Sequence, residues 1–353
     1  MSTQRIDLCQ TSDLPELFER FAEWYRFNPR MRERDYFDWQ FKDAPTRLAD
    51  GEFDFLVLRE NDEIVGCLGF TGFEFRSDGA IHIGGWTHNW YAPGRRDGGL
   101  ALMFRFMELV DNRFIFRFNE NTARVFSLLR VPMIAAVPRW WAVTNAELAL
   151  DFFQFESSDR AVVSRSVAGM KRIDGTRRIR SVERFDPDEE FTLAHFAEGL
   201  NGARRTGQYL NWRYLDIPRH RYHAIRGDRG VGICRVETIM DHDVSVIRIV
   251  EWTFDDDECE AALAYVLREH NDVKPLLLDF HCASRLPARG LERIGFMPQS
   301  ATTKPMPDLF RPMNYSGGHA LALDFPPHRT TRAIDFDRWY ITAGDSDVDR
   351  VKL

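Results

Sequence analysis

Short apolar runs with strand character alternate along this chain with longer stretches of helical spacing, twice over and in one order. Arg5–Cys9 reads as a short strand. Thr11-Ser-Asp-Leu then opens a helix predicted to reach about Tyr25, with hydroxyl and acidic side chains placed to cap its first amides. Phe53–Arg59, the polar Glu60-Asn-Asp-Glu and Ile64–Phe73 give a strand, tight turn, strand pattern, which predicts a hairpin. Ile81–Tyr91 reads as a strand, Pro93-Gly-Arg-Arg-Asp-Gly-Gly breaks it, and Leu100–Val110 follows with helical spacing. Phe114–Phe118 is a further strand and Asn121–Leu129 a short helix. A second round begins near Arg178 with a strand and a helix near Glu189–Leu200. It continues with a hairpin of Tyr222–Arg226 and Gly232–Glu237, a strand at Val246–Phe254 and a helix at Glu258–Glu269. Leu276–Phe280 is then a strand, and Leu286–Ile294 a helix closing on Gly295-Phe296. The stretch from about Asn145 to Thr176 is polar and β-rich, a connector.

The two rounds share words as well as rhythm. Residues 36–45 read YFDWQFKDAP and residues 209–218 read YLNWRYLDIP, matching Tyr36 with Tyr209, Trp39 with Trp212, Asp43 with Asp216 and Pro45 with Pro218 at one offset, 173 (212 − 39). Ile81–Thr87 (IHIGGWT) matches Ile247–Thr253 (IRIVEWT) at an offset of 166 (252 − 86), and Phe114–Asn119 faces Leu276–His281. So long an offset implies a duplicated domain, since solenoid repeats are far shorter. The expected architecture is two tandem α/β domains, each a mixed, mostly antiparallel sheet flanked by helices. The expected division is 1–145, a connector at 146–177, and 178–353.

Composition narrows the function. The 353 residues suffice for two domains with separate cores. Against 47 basic residues stand 54 acidic ones, a net charge of −7, which disfavours a nucleic-acid partner. No stretch approaches the roughly 20 apolar residues of a membrane helix, and the N-terminus has no apolar signal core, so no membrane partner is expected. The five cysteines form no metal-like pairing and, being odd in number, no complete disulfide set, which points to a reduced, cytoplasmic setting. The 28 Phe and 9 Trp imply large cores or aromatic-lined clefts.

Chemistry concentrates in Trp90-Tyr-Ala-Pro-Gly-Arg-Arg-Asp-Gly-Gly-Leu-Ala-Leu-Met. A strand running into a glycine turn and at once into a helix presents unpaired amides and the positive end of the helix dipole. Glycine lets a phosphate approach the backbone, and Arg95 or Arg96 adds charge, so Gly94–Ala101 reads as a pyrophosphate cradle. A turn using glycine only for its backbone angles is the alternative. The second round has Phe254-Asp-Asp-Asp-Glu258 there, acidic and without glycine, so a single anion site is expected.

Arg96-Asp-Gly-Gly99-Leu-Ala101 resembles motif A of the GCN5-related N-acetyltransferases (GNAT). Tyr91-Ala-Pro93 resembles the strand end that holds the pantetheine arm in that family. Asn119-Glu-Asn121-Thr-Ala123 resembles its motif B, and Leu291–Phe296 its closing helix. The resemblance implies acetyl-CoA or another acyl-CoA as co-substrate, no metal, and a cofactor site of Trp90, Tyr91, Ala92, Gly94, Arg95, Arg96, Asp97, Gly98, Gly99, Leu100, Ala101, Asn119 and Asn121. Tyr209–Pro218 and the late Trp339-Tyr-Ile-Thr-x-x-Asp345-Ser-Asp347 resemble tandem GNAT acyltransferases of amino-sugar and surface-polysaccharide pathways. This implies a small-molecule amine acceptor, a nucleotide-linked amino sugar.

Amide formation from a thioester needs a free amine, a polarised carbonyl and an exit for the thiolate. The stretch resembling the family's fourth strand, Gly85–Trp90, offers no carboxylate but has His88, a candidate base. The backbone amide near Tyr91 would meet the oxyanion, by analogy with the family. Phe126 stands where the family commonly places an acidic tyrosine. In the second round Glu251 is a candidate catalytic carboxylate. Asp279 and His281, on one strand face by period two, are acceptor-side candidates, and Arg213 is a candidate phosphate contact. The plain alternatives are a structural hydrogen bond for His88 and an ion pair of Glu251 with Arg248 or Arg213. Trp39 and Trp212 read as core, and Asp345-Ser-Asp347 as a solvated tail rather than a metal site. Two rival functions are an aminoacyl transfer of the peptidoglycan-bridge type, which favours a basic groove, and a non-catalytic acyl-CoA-binding protein.

Overall fold

The structure, a computed structural model, describes the chain except residues 1–3, 26–28, 95, 174, 176–177, 240–241, 311–312, 315–318, 326–332 and 347–353. The first round forms β1 (Gln4–Leu8), α1 (Leu14–Trp24), α2 (Arg34–Phe41), β2 (Phe55–Glu60), β3 (Glu63–Ser77), β4 (Ala80–Tyr91), α3 (Arg96–Leu109), β5 (Arg113–Phe116) and α4 (Glu120–Leu128). Positive φ at Asn61 and Asp62, and again at Asp78 and Gly79, closes two tight hairpins with residues that tolerate the left-handed region. After α4 come β6 (Met133–Ile134), β7 (Arg139–Val143), α5 (Ala146–Phe152) and α6 (Arg160–Met170).

The second round is built from β8 (Arg180–Val182), β9 (Glu190–Phe191), β10 (Asn201–Ala203), β11 (Arg205–Thr206), α7 (Gly207–Leu210) with a π-helical turn over Asn211–Leu215, β12 (His223–Arg226), β13 (Val231–Thr238) and β14 (Ser245–Trp252). Next come α8 (Asp256–Glu269), β15 (Pro275–His281), α9 (Ala288–Arg293), β16 (Met297–Pro298), the pair β17 (Leu309–Phe310) and β18 (Met313–Asn314), β19 (Leu321–Asp324) and β20 (Trp339–Tyr340). Mixed sheets flanked by helices are thus the observed architecture.

Two elements differ from expectation. The connector is helical, not β-rich, with α6 burying Val163, Val167 and Met170. Glu189–Leu200 is not a helix: β9 pairs with β11, and the Thr192 hydroxyl accepts the amide of Ala194 at 3.1 Å, a local bond that competes with helix formation. Glu189 and Glu190 are drawn away to Arg226 and Arg204.

The sheets do not divide the chain at 145 and 178. Among the described residues one sheet runs β1-β2-β3-β4-β5-β19-β6 and the other β16-β7-β15-β14-β13-β12-β8. Beyond α4 and the short β6, β7 leaves its own round and lies antiparallel to β15, while β19 returns from the far end of the chain to lie antiparallel to β5. The rounds therefore exchange their last long strands. One aromatic core spans both, from Phe21, Phe37 and Phe55 to Trp212, Tyr214 and Ile341. At its centre the repeated tryptophans clasp each other: Trp39 Nε1 donates to the carbonyl of Trp212 at 2.7 Å, and Trp212 Nε1 to that of Trp39 at 3.0 Å. Their rings stack at 5.5 Å.

Candidate active site

In the first sheet the parallel neighbours β4 and β5 pair only at Gly85 with Arg113 and Trp86 with Phe114, after which β4 continues to Tyr91 against β3 without β5. Just past that point β4 bulges. Gly69 faces His88 and Cys67 faces Tyr91, so Leu68 alone opposes Asn89 and Trp90, and Asn89 takes φ 50. The Asn89 carbonyl accepts from the Tyr25 hydroxyl and from the Cys67 thiol, each at 3.3 Å. Trp24 and Tyr25, at the end of α1, pack on the ring of Tyr91 at 5.5 and 5.7 Å. Neither the bulge nor this cluster was read from the sequence; the signal for it was the aromatic pair closing α1.

Beyond the bulge the chain turns at Gly94, with φ 67 and open space where a Cβ would stand, and α3 begins at Arg96. Among the described residues no acceptor outside the helix meets the amides of Asp97, Gly98 or Gly99. Trp90 Nε1 donates to the Gly99 carbonyl at 2.9 Å and clasps the strand end to the first turn of the helix. Ala92, Leu100 and Ala101 are half-buried against the same turn, and Asp97 is exposed. Arg95 lies outside the described residues. Asn119 is spent as the N-cap of α4, accepting the Thr122 amide at 2.9 Å, and Asn121 is exposed on that helix.

The equivalent place in the second sheet is filled by the chain itself. The bulge of β14 follows Ile249, so the structure pairs His88 with Ile249 and corrects the IHIGGWT/IRIVEWT match, which sets His88 against Phe254. Asp255 caps α8, accepting the amides of Asp257 and Glu258 at 3.0 Å each. Glu258 takes the amides of Asp228, Arg229 and Gly230. The segment 339–346 closes the rest. The Trp252 amide donates to the Tyr340 hydroxyl at 2.9 Å, and a Cβ on Gly344 would stand 2.9 Å from the Val250 carbonyl in the bulge.

The candidate catalytic and acceptor residues are mostly interior. His88 is buried, its Nε2 2.7 Å from the Thr71 hydroxyl and its ring 6.3 Å from that of Phe41. Glu251 is fully buried and pairs with neither Arg248 nor Arg213, but with Arg205 at 3.0 Å, with Tyr214 and Tyr340 donating at 2.8 and 3.0 Å. Burial pushes its carboxyl up, against the pull of the Arg205 guanidinium. Arg205 also holds Asp345 at 2.7 Å, so Asp345 is no solvated tail; Asp347 lies outside the described residues. Arg213 donates to the carbonyls of Gly344 and Ser346, which leaves it inside the protein rather than on a phosphate. Asp279 is locked between Arg139 and Arg248. Although buried, its carboxyl lies below the usual range because those two guanidiniums outweigh the desolvation. His281 shares its strand face, as period two requires, 4.0 Å away. Glu251, Arg213 and Asp279 are thus tied into the protein's own ion pairs and hydrogen bonds.

No family model and no curated protein matches this chain. Among solved structures it is similar to an Enterococcus faecalis protein named a probable N-acyltransferase, with 13% identity and a TM-score of 0.50, over 79% of this chain and 65% of the other. It is also similar to a GCN5-related N-acetyltransferase from Anabaena variabilis, at 11% identity and a TM-score of 0.48, over the same shares. The chain thus spans less than two thirds of the structures it matches. The first of these likenesses shows a shared fold.

Proposed function

We propose that this protein is an acyl-CoA-dependent N-acyltransferase, passing an acetyl or other short acyl group to a small-molecule amine from a single cofactor site on the first sheet. The observation supporting this reading is the contrast between two equivalent helix starts. The amides of Asp97–Gly99 open beside a strand splay, whereas those of α8 are consumed by Asp255. A diphosphate would satisfy the former with backbone hydrogen bonds and the helix dipole, while the pantetheine arm would run along the freed end of β4. The bulge carbonyl and the Tyr25 hydroxyl mark where the thioester would lie, and Tyr25 is a candidate donor to the departing thiolate. His88, held by Thr71, would position the strand rather than take the proton. A nucleotide-linked amino sugar is the acceptor to test first. Since Tyr209, Trp212 and Arg213 are buried, the acceptor would be met by other residues.

Titration calorimetry with acetyl-CoA tests the cofactor half. Gly99 has ordinary room for a Cβ, its nearest neighbour at 3.7 Å, so Gly99→Asp should fold and should weaken binding at least about tenfold by placing a carboxylate on the anion's seat. Undiminished binding would move the cofactor elsewhere. Thiol release with a panel of amines tests turnover, and tight binding without turnover on any amine would favour an acyl-CoA-binding protein.

A further inference from the structure

Where the exchanged strands cross, three side chains from separate segments converge. His281 ends β15, His319 lies two residues before β19, and Asp308 immediately precedes β17. One ligand atom from each lies within 4.8 Å of the others, and all three residues are buried. His319 Nε2 is 3.1 Å from Asp308 Oδ1, and the rings of His281 and His319 are 5.1 Å apart. His281 is 6% exposed, yet neither of its ring nitrogens has a hydrogen-bond partner among the described residues. A buried imidazole without partners is costly unless something takes its lone pair.

The surroundings hold the three in place without using them up. Arg139 donates to the carbonyls of Met306 and Pro307, and Arg248 to that of Asp308, which fixes the backbone carrying the carboxylate. The charges of these arginines are met by Asp279 and Glu237, so the Asp308 carboxylate remains for its histidine neighbour. His281 and Asp308 line a cavity of about 470 Å³.

We propose that His281, His319 and Asp308 form a binding site for one divalent transition-metal ion at the strand crossover, a role independent of the transferase reading. Two imidazoles and one carboxylate suit zinc, iron(II) or cobalt(II), and not the all-oxygen shells of magnesium or calcium. The ion takes the place of the proton on His319 Nε2 that faces Asp308, releasing it to solvent, and completes the unpartnered ring of His281. Three protein ligands leave a position open for water on the cavity side. Because the ligands join β15 to the segments leading to β17 and β19, the ion ties the crossover together. The expectation of a metal-free protein changes accordingly.

The full chain, stripped with chelator and titrated separately with zinc and cobalt(II), should take up one equivalent. The cobalt form should show visible d–d bands of nitrogen and oxygen ligation. His281→Asn and His319→Asn, checked for folding by circular dichroism, should each weaken uptake by more than about a hundredfold, beyond the usual effect of outer-shell changes. His242→Asn, at an exposed position, should bind as the parent does. No stoichiometric uptake by the parent overturns the proposal, as does unchanged uptake in the two folded variants. So does an intense thiolate-to-cobalt charge-transfer band, which assigns the ion to buried cysteines and decides the matter even where a variant fails to fold.

Discussion

Glu251 has the residue type and the strand expected of a catalytic base, yet it lies in a closed cluster with Arg205, Asp345, Tyr214 and Tyr340. Removing one partner of such a pair strands a buried charge. Arg205→Ala should therefore lower stability by about 3–5 kcal/mol in urea unfolding. Glu251→Gln should lose stability but keep its turnover per folded molecule. A large fall in kcat at unchanged stability would return Glu251 to the chemistry. His220 gives a pH signature: Arg30 donates to its ring, which lies 6.4 Å from that of Tyr36 and 6.2 Å from that of Tyr222. Burial, then the nearby guanidiniums, pull it down to about 3. The unfolded chain takes up this proton near the ordinary value of about 6.5. Stability from the neutral ring is therefore complete above that pH and falls away as pH drops toward 3. Between pH 7 and 5 the parent should lose about 1–2 kcal/mol more than His220→Gln. Parallel acid profiles for the two would exclude this role.

Among elements, the two helices that follow the bulged strands make the sharpest comparison. α3 and α8 are alike in place and length, but α8 closes its first turn with Asp255 while Gly94 and the glycines after it leave α3 open. Asp255→Ala should cost about 1 kcal/mol of stability and leave acyl-CoA affinity unchanged, since the cofactor site proposed above lies on α3. A stability change of zero would mean that Asp257 or Glu258 replaces the cap. The glycine break, the acidic substitute and the strand–helix order were legible, because turn chemistry and capping are local. The bulge was not, since its extra residue is defined only against the partner strand. The five-residue slip in aligning the second round has the same origin: IRIVEWT resembles IHIGGWT in composition, but pairing with β13 and β15 sets its true register.

For the molecule as a whole, strand exchange makes the halves interdependent. A fragment of residues 1–145 would keep β7 without the sheet it joins and would lack β19 beside β5. It should show no cooperative unfolding alone, while co-expression with the remainder should restore the parent's single transition. A cooperative, native-like fragment 1–145 would refute this interdependence. The clasp of Trp39 with Trp212 and the shared aromatic core act in the same direction, placing much of the buried surface between the rounds rather than within either.

The chain's own order of residues sufficed for the mixed α/β class, for most of the long strands and helices, and for the glycine-broken start of α3. These follow from periodicity, turn residues and caps, whose causes lie within a few positions of one another. Which strand joins which sheet, that Glu251 and Arg213 face inward, and that His281 meets His319 and Asp308 were decided only in three dimensions. Each of these depends on contacts between segments far apart in the chain, and a buried charge or imidazole takes its role from the partners that folding brings to it.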